Sequence, residues 1–283
     1  MIYREFARTG FRCSAVGMGT YYDIRWIASA RLLGRRPRED AIVRSIRTGL
    51  DSGLNLIDTA ELYGSEPLVS KSLEGRDRES VFIATKVSPT HLRREKLIRA
   101  CERSLRRLKT GYIDLYQLHF PAIRVPLSET MGAMEELVDR GMIRYIGISN
   151  FSFERMKEAE QALRKYPLTS TQMHYNMSYR KVEEQILPYC EKNGMALLPY
   201  YPVGHGRLAS GGRQPPALAA DLCRKYGLRS IAQLALTYLV SRSNCTFPIP
   251  RARTPEHVAE NSGIDALLDP SDLDALASAY PER

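Results

Sequence analysis

Short apolar runs and longer amphipathic stretches alternate along this chain. The runs at 15–20, 54–59, 81–87, 113–119, 143–150, 170–176, 195–201 and 245–250 predict eight β-strands. Helical periodicity between them predicts helices over 37–52, 66–73, 93–108, 127–139, 153–165 and 179–193. A pair follows at 217–226 and 230–240, another helix opens at 254–261, and a last one spans 271–279. Segment 21–36 has no clear period and falls in the first strand-to-helix loop. Eight βα units in 283 residues favour a closed (β/α)8 TIM barrel over a doubly wound sheet. No low-complexity linker or compositional shift interrupts 1–283, so a single barrel domain is expected.

Composition narrows this picture little. A hydrophobic fraction of 43% is ordinary, and no apolar run approaches the roughly 20 residues of a membrane helix, so no membrane partner is expected. The start MIYREFARTG lacks an apolar signal core, which makes a cytoplasmic protein the expectation. Cys13, Cys101, Cys190, Cys223 and Cys245 are scattered, without CxxC or His-rich spacing, so buried thiols are expected rather than a metal site or disulfides. The formal charge of +9 is open to nucleic acid, a membrane surface, an anionic small molecule or a solvated basic face. Arg31, Arg35, Arg36 and Arg38 cluster without the interleaved aromatics of an RNA platform. They read as loop surface, and no nucleic-acid partner is expected.

The candidate chemistry lies at the strand ends. In a barrel all parallel strands finish on one face. Asp58 ends the second expected strand, Tyr63 lies in the loop after it, Lys86 is near the end of the third, and His119 ends the fourth. The two-residue period agrees, placing Leu56 with Asp58, Ala84 with Lys86, and Leu115 and Gln117 with His119 on the inward side. A buried Asp-Lys pair can be purely structural, and a lone histidine can be a satisfied core residue. Four such groups at one mouth favour proton donation. A phenol with a pKa of ~10 is a poor acid, a nearby ammonium should lower it, and an imidazole can orient a carbonyl oxygen. Arg251 and Arg253 precede a helix start with Thr254 as N-cap and Pro255 as first residue, which suits an anion. The turn of Gly204, Arg207 and Leu208 offers backbone N–H groups and a cation of the kind a pyrophosphate needs.

The stretches NLIDTAELYGSE, IATKV, YIDLYQLHFP and RGMIRYIGISNFS resemble the aldo-keto reductase superfamily in order, over nearly the whole chain. The resemblance implies a catalytic tetrad of Asp58, Tyr63, Lys86 and His119, and NAD(P)H-dependent reduction of aldehydes or ketones without a metal. It also implies that Ser149, Asn150 and Gln172 hydrogen-bond the nicotinamide carboxamide and that the nicotinamide stacks on Tyr200. His257, Glu260 and Asn261 would serve the adenosine end. Thr20 and Tyr21, where the first expected strand finishes, join this cofactor set. With Arg251 and Arg253 beside a helix start, NADPH is expected over NADH.

Four positions depart from the family pattern: Thr171 for Asn, His174 for an acid, Tyr201 for Ser and His257 for Arg. Tyr21, Tyr22, Trp26 and Phe120 could form an aromatic wall over the substrate carbonyl, or could simply be half-buried under the first loop. The chain ends soon after 271–279, which resembles shorter microbial-type members and implies an open mouth. A second reading is a regulatory protein that keeps barrel and cofactor but turns over little, like the potassium-channel β subunits of the same superfamily. The expected partner is a small carbonyl substrate, with no obligate protein partner.

Overall fold

Short strands buried on both faces build the structure, a computed structural model that describes residues 1–122, 124–204, 217–251 and 253–282. A hairpin comes first, β1 (Tyr3–Glu5) against β2 (Arg12–Ser14). The strands β3 (Met18–Gly19), β4 (Leu56–Asp58), β5 (Phe82–Val87), β6 (Ile113–Leu118), β7 (Ile143–Ser149), β8 (Leu168–His174) and β9 (Ala196–Tyr200) then form one parallel sheet in chain order. Helices such as Glu39–Asp51, Arg94–Leu108 and Leu127–Asp139 cover its outer face, as the (β/α)8 barrel requires.

The eighth expected strand closes the barrel without becoming a regular strand. Phe247 and Ile249 donate their N–H groups to Leu197 and Pro199 of β9, at 2.8 and 3.1 Å. On the other side Pro248 and Pro250 accept from Gly17 and Gly19, at 2.9 and 2.8 Å. Proline has no N–H to return, so Pro248 and Pro250 cannot donate across this seam. What remains of regular pairing is two isolated bridges, Leu197 to Thr246 and Gly19 to Arg251. Gly19 permits the approach, since a Cβ there would lie 2.8 Å from the carbonyl oxygen of Ile249.

The hairpin, which apolar periodicity does not reveal, plugs the N-terminal end of the barrel. Phe6 is fully buried, with its ring 4.5 Å from Phe82 and 4.9 Å from Phe247. Leu56, Ala84, Leu115, Ala196 and Leu198 complete this interior layer. Towards the strand ends the inward positions turn polar: Asp58, Lys86, Gln117, Ser149 and Gln172. Each strand therefore spends its first inward residues on the core and its last on the site.

Two helical expectations change. The stretch 179–193 divides into a turn at Lys181–Glu183 and a helix at Ile186–Asn193. Pro188 explains the break, because its ring would collide with the carbonyl of Glu184 in a continuous helix. The aperiodic first loop contains the helix Ile24–Leu32, capped by Asp23 accepting from the Trp26 N–H at 2.8 Å. Among the described residues no helix is long and apolar enough to cross a membrane. Phe6→Ala is expected to remove ~3–5 kcal/mol of stability, read as a lower urea midpoint with an unchanged slope. A wild-type midpoint would mean the hairpin lies outside the cooperative unit.

Candidate active site

The centre of the strand ends is an ion pair out of water. Lys86 Nζ donates to Asp58 Oδ1 at 2.6 Å and to the Thr59 carbonyl at 2.9 Å, and the lysine side chain is fully buried. The other carboxylate oxygen, Oδ2, accepts from Gln172 Nε2 at 2.8 Å and faces Gln117 Nε2 at 3.5 Å. Gln117 reaches inward across Gly147, where a Cβ would meet Gln117 Cγ at 2.9 Å and Ser170 Oγ at 2.4 Å. Desolvation lowers the Lys86 ammonium from the usual lysine range, and Asp58 opposes that shift.

Tyr63 sits on the turn Glu61–Tyr63 with its hydroxyl 3.4 Å from His119 Nε2. Lys86 Nζ lies 4.9 Å from the centroid of the phenol ring. Burial pushes the phenol well above its ordinary range, and Asp58 and the neighbouring tyrosines Tyr201, Tyr21 and Tyr200 add to the shift. This corrects the expectation that Lys86 lowers it: the ammonium is already compensated by Asp58, so desolvation wins. Burial, and then the Lys86 charge, push the His119 imidazole from 6.5 down to about 3. Its Nδ1 has no hydrogen-bond partner among the described residues. A proton on Nε2 leaves a bare lone pair there rather than an orphaned N–H.

The turn that carries Tyr63 is held from two sides. Glu61 accepts from the Ser88 N–H at 3.0 Å, His91 Nδ1 at 3.1 Å and Arg103 Nη2 at 3.2 Å. Burial alone would raise the Glu61 carboxyl, but these contacts outweigh it and hold it below the usual carboxylate range. From the first loop, Arg31 Nη1 reaches the Glu61 carbonyl at 3.5 Å and Arg36 Nε the Gly64 carbonyl at 3.3 Å. Glu61 escaped the sequence reading because its partners come from two segments distant in sequence, 88–91 and the helix Arg94–Leu108.

A cleft of about 760 Å³ opens over these groups and extends towards the helix Pro255–Ser262. Asp58, Tyr63, His119, Ser149, Asn150, Gln172, Tyr200 and Tyr21 line one part, and Arg251, Arg253, His257, Glu260 and Asn261 line another. Asn150, at φ 63°, donates from Nδ2 to the His119 carbonyl at 2.9 Å and to Ser149 Oγ at 3.0 Å. Its Oδ1 accepts from the Tyr200 hydroxyl at 2.7 Å. Arg251 donates to the Tyr22 carbonyl, and Glu260 accepts from the Ser230 hydroxyl. Gly204 lies among the described residues, whereas Arg207 and Leu208 lie outside them.

Three expected contacts sit elsewhere. Thr20 is buried behind the cleft, its hydroxyl donating to the Asp58 carbonyl at 3.0 Å. Tyr22 and Trp26 do not join the wall over the tetrad: the Trp26 indole donates to the Pro37 carbonyl at 3.0 Å, and both rings line a separate pocket of about 290 Å³. The Trp26–Pro37 hydrogen bond and the contact between the two rings, 5.0 Å apart, hold them there. Phe120 does line the cleft, stacked 5.0 Å from His119. Leu62, Tyr201 and Val203, which the sequence did not single out for the site, line it too. The left-handed backbone of Tyr201, at φ 53°, was not legible in advance.

A profile of the Aldo/keto reductase family matches residues 15–281. The chain is 35% identical over 271 residues to the methylglyoxal reductase YeaE of Escherichia coli (strain K12), covering 94% of this chain and 91% of that one. Among solved structures it resembles a thermostable aldo-keto reductase in complex with the inhibitor epalrestat, with 34% identity, a TM-score of 0.86, and 99% and 100% of the two chains covered. It also resembles an aldo-keto reductase from Klebsiella pneumoniae in complex with NADPH, with 33% identity, a TM-score of 0.84, and 100% and 97% covered. With this site at the mouth of this barrel, the chain belongs to the aldo/keto reductase family and is an NAD(P)H-dependent oxidoreductase.

Proposed function

We propose that this protein reduces aldehydes and ketones with NADPH, and that Tyr63 is the proton donor. The observation that carries the reading is the buried phenol of Tyr63, beside the His119 imidazole and the Asp58–Lys86 pair at one end of a cleft. The donor set suits an extended dinucleotide. Ser149, Asn150 and Gln172 offer amide and hydroxyl groups near the tetrad, Tyr200 offers a ring face, and Arg251, Arg253 and His257 face the far end. These would hold the nicotinamide and the adenosine phosphate respectively.

When bound, a reduced nicotinamide supplies hydride to the carbonyl carbon. Tyr63 gives its proton to the carbonyl oxygen, completing the alcohol and leaving a phenolate. A phenol kept protonated by burial is the correct starting state for that step. Lys86 then stabilises the phenolate, and Asp58 keeps Lys86 in place in both states. His119, neutral with Nε2–H as donor, hydrogen-bonds the carbonyl oxygen and aligns it with the phenol. Tyr21, Phe120 and Tyr201 give the cleft aromatic edges and leave room for small carbonyl compounds. The E. coli relative supports methylglyoxal as one substrate to test first.

Tyr63→Phe is expected to change NADPH affinity less than about twofold and to cut carbonyl reduction ~10²–10⁴-fold. Fluorescence titration and NADPH oxidation with methylglyoxal and a panel of aldehydes measure both, and an active Tyr63→Phe protein would sink the mechanism. Removing Arg251 and Arg253 together should weaken NADPH roughly 10–100-fold while moving NADH much less. Equal losses would refute the 2′-phosphate assignment.

The His119 environment makes a prediction about pH. Its folded-state value, depressed from 6.5 to about 3, excludes a proton that the unfolded chain accepts. The associated stability is fully present above 6.5 and is lost as pH falls towards about 3. Wild type should therefore lose more stability than His119→Asn between neutral pH and pH ~4. Among the five histidines, the NMR signal missing from His119→Asn should not shift above pH ~5. An imidazole titrating near neutrality would overturn the neutral-donor role.

A further inference from the structure

We propose that Arg25 and Arg38 of the first βα loop, together with Arg251 and Arg253 after the barrel-closing segment, form a phosphate-monoester site. It is the pocket of about 290 Å³ next to the cleft, with Trp26 and Tyr22 in its wall. Arg251 and Arg253 line this pocket and the cleft alike, so the two share a boundary. The inference extends the NADPH reading and adds residues that come from the opposite end of the sequence.

Charge carries the argument. Among the described residues thirteen other arginines pair with a carboxylate, Arg78 with Asp114 and Arg107 with Glu66 being the most buried examples. Other described arginines, Arg12, Arg44 and Arg229 among them, also lack an ion pair with a described residue, but here four such arginines share one pocket. The pocket's one carboxylate, Asp23, is engaged as the cap of the helix Ile24–Leu32. Four guanidiniums against one carboxylate leave three positive charges around a small cavity. Partial burial, and after it the proximity of Arg253, disfavour the charged form of Arg251, while Asp23 opposes them.

Geometry agrees with charge. Arg38 adopts a left-handed backbone, φ 58°, at the start of Glu39–Asp51 without any side-chain capping bond. A non-glycine residue reaches that conformation at a cost of roughly 1–2 kcal/mol, and here it sets Arg38 in the pocket wall. Arginine's planar fork of donors suits a phosphate with three terminal oxygens. The phosphate could come from the cofactor's ribose or from a separate small molecule, and the two are separable.

Trp26 is the chain's single tryptophan, so its fluorescence reports on the pocket itself. The full-length protein and the double variant Arg25→Ala/Arg38→Asn would each be titrated with inorganic phosphate, NADPH and NADH. Asparagine tolerates the left-handed backbone, and both arginines are exposed, so the variant keeps its fold. The expected result is a saturable phosphate response weakened at least about tenfold in the variant, and an NADPH-to-NADH preference reduced by roughly the same factor. Loss of the phosphate response with an unchanged preference would keep the site and make its occupant a separate phosphate monoester. A reduced preference without a response to free phosphate would assign the site to the cofactor alone. An unchanged preference together with an unchanged or absent phosphate response would overturn the proposal. If NADPH fails to bind at all, the functional reading falls, and the phosphate arm still decides the pocket.

Discussion

The Asp58–Lys86 pair is the constraint around which the strand ends are arranged. Removing two charges from water costs several kcal/mol per ion, and their attraction repays this only when the remaining lone pairs and protons are satisfied. Here Gln172 comes from β8, Gln117 from β6 and the Thr59 carbonyl from the end of β4. The ion pair thus fixes the ends of β4, β5, β6 and β8 relative to one another. It also decides the protonation of its neighbours. Because Asp58 compensates Lys86, the phenol of Tyr63 experiences burial more strongly than a free cation, whereas the imidazole of His119 experiences burial and cation together. Burial is the larger cause for both, and the pair adds to it in each case, Asp58 raising the phenol and Lys86 lowering the imidazole.

Closure of the barrel is coupled to the far end of the cleft. A regular eighth strand would need N–H groups where Pro248 and Pro250 have none, so the segment is held by accepting from Gly17 and Gly19 and donating to β9. Its next residues are those that line the cleft with guanidiniums, and Gly19 bridges to Arg251 directly. The absence of a regular ladder at this seam is compatible with a chain that must leave the sheet immediately and begin the helix Pro255–Ser262.

Legibility in the sequence followed the locality of each signal. Asp58, Lys86 and Gln117 were readable because strand period and strand end coincide within a few residues, and Tyr63 because it precedes a glycine turn. The partition of Tyr22 and Trp26 into a separate pocket was not readable, since it depends on Asp23 capping a helix with weak amphipathic periodicity. Glu61 reads as one more acid in a polar turn, and only the fold brings Ser88, His91 and Arg103 to it. The hairpin plug was missed because strands of three residues are too short to show a period. The direction of the Tyr63 shift failed for a related reason: sequence gives the identity of a charged neighbour but not the desolvation that competes with it.

The segment with the least sequence signal touches both ends of the site. Arg31 and Arg36 hold the carbonyls on either side of Tyr63, while Tyr22 accepts from Arg251 through its backbone. A loop built from arginines can do this because each guanidinium lies at the end of a long side chain and offers five donors, so one loop reaches two strand ends. The basic cluster that looked like solvated surface therefore divides by function of position. Two arginines are committed to backbone carbonyls around the proposed proton donor, and Arg38 faces the pocket beside Arg251 and Arg253. The surplus positive charge of the chain is thus concentrated, at least in part, where the barrel's first and last loops meet.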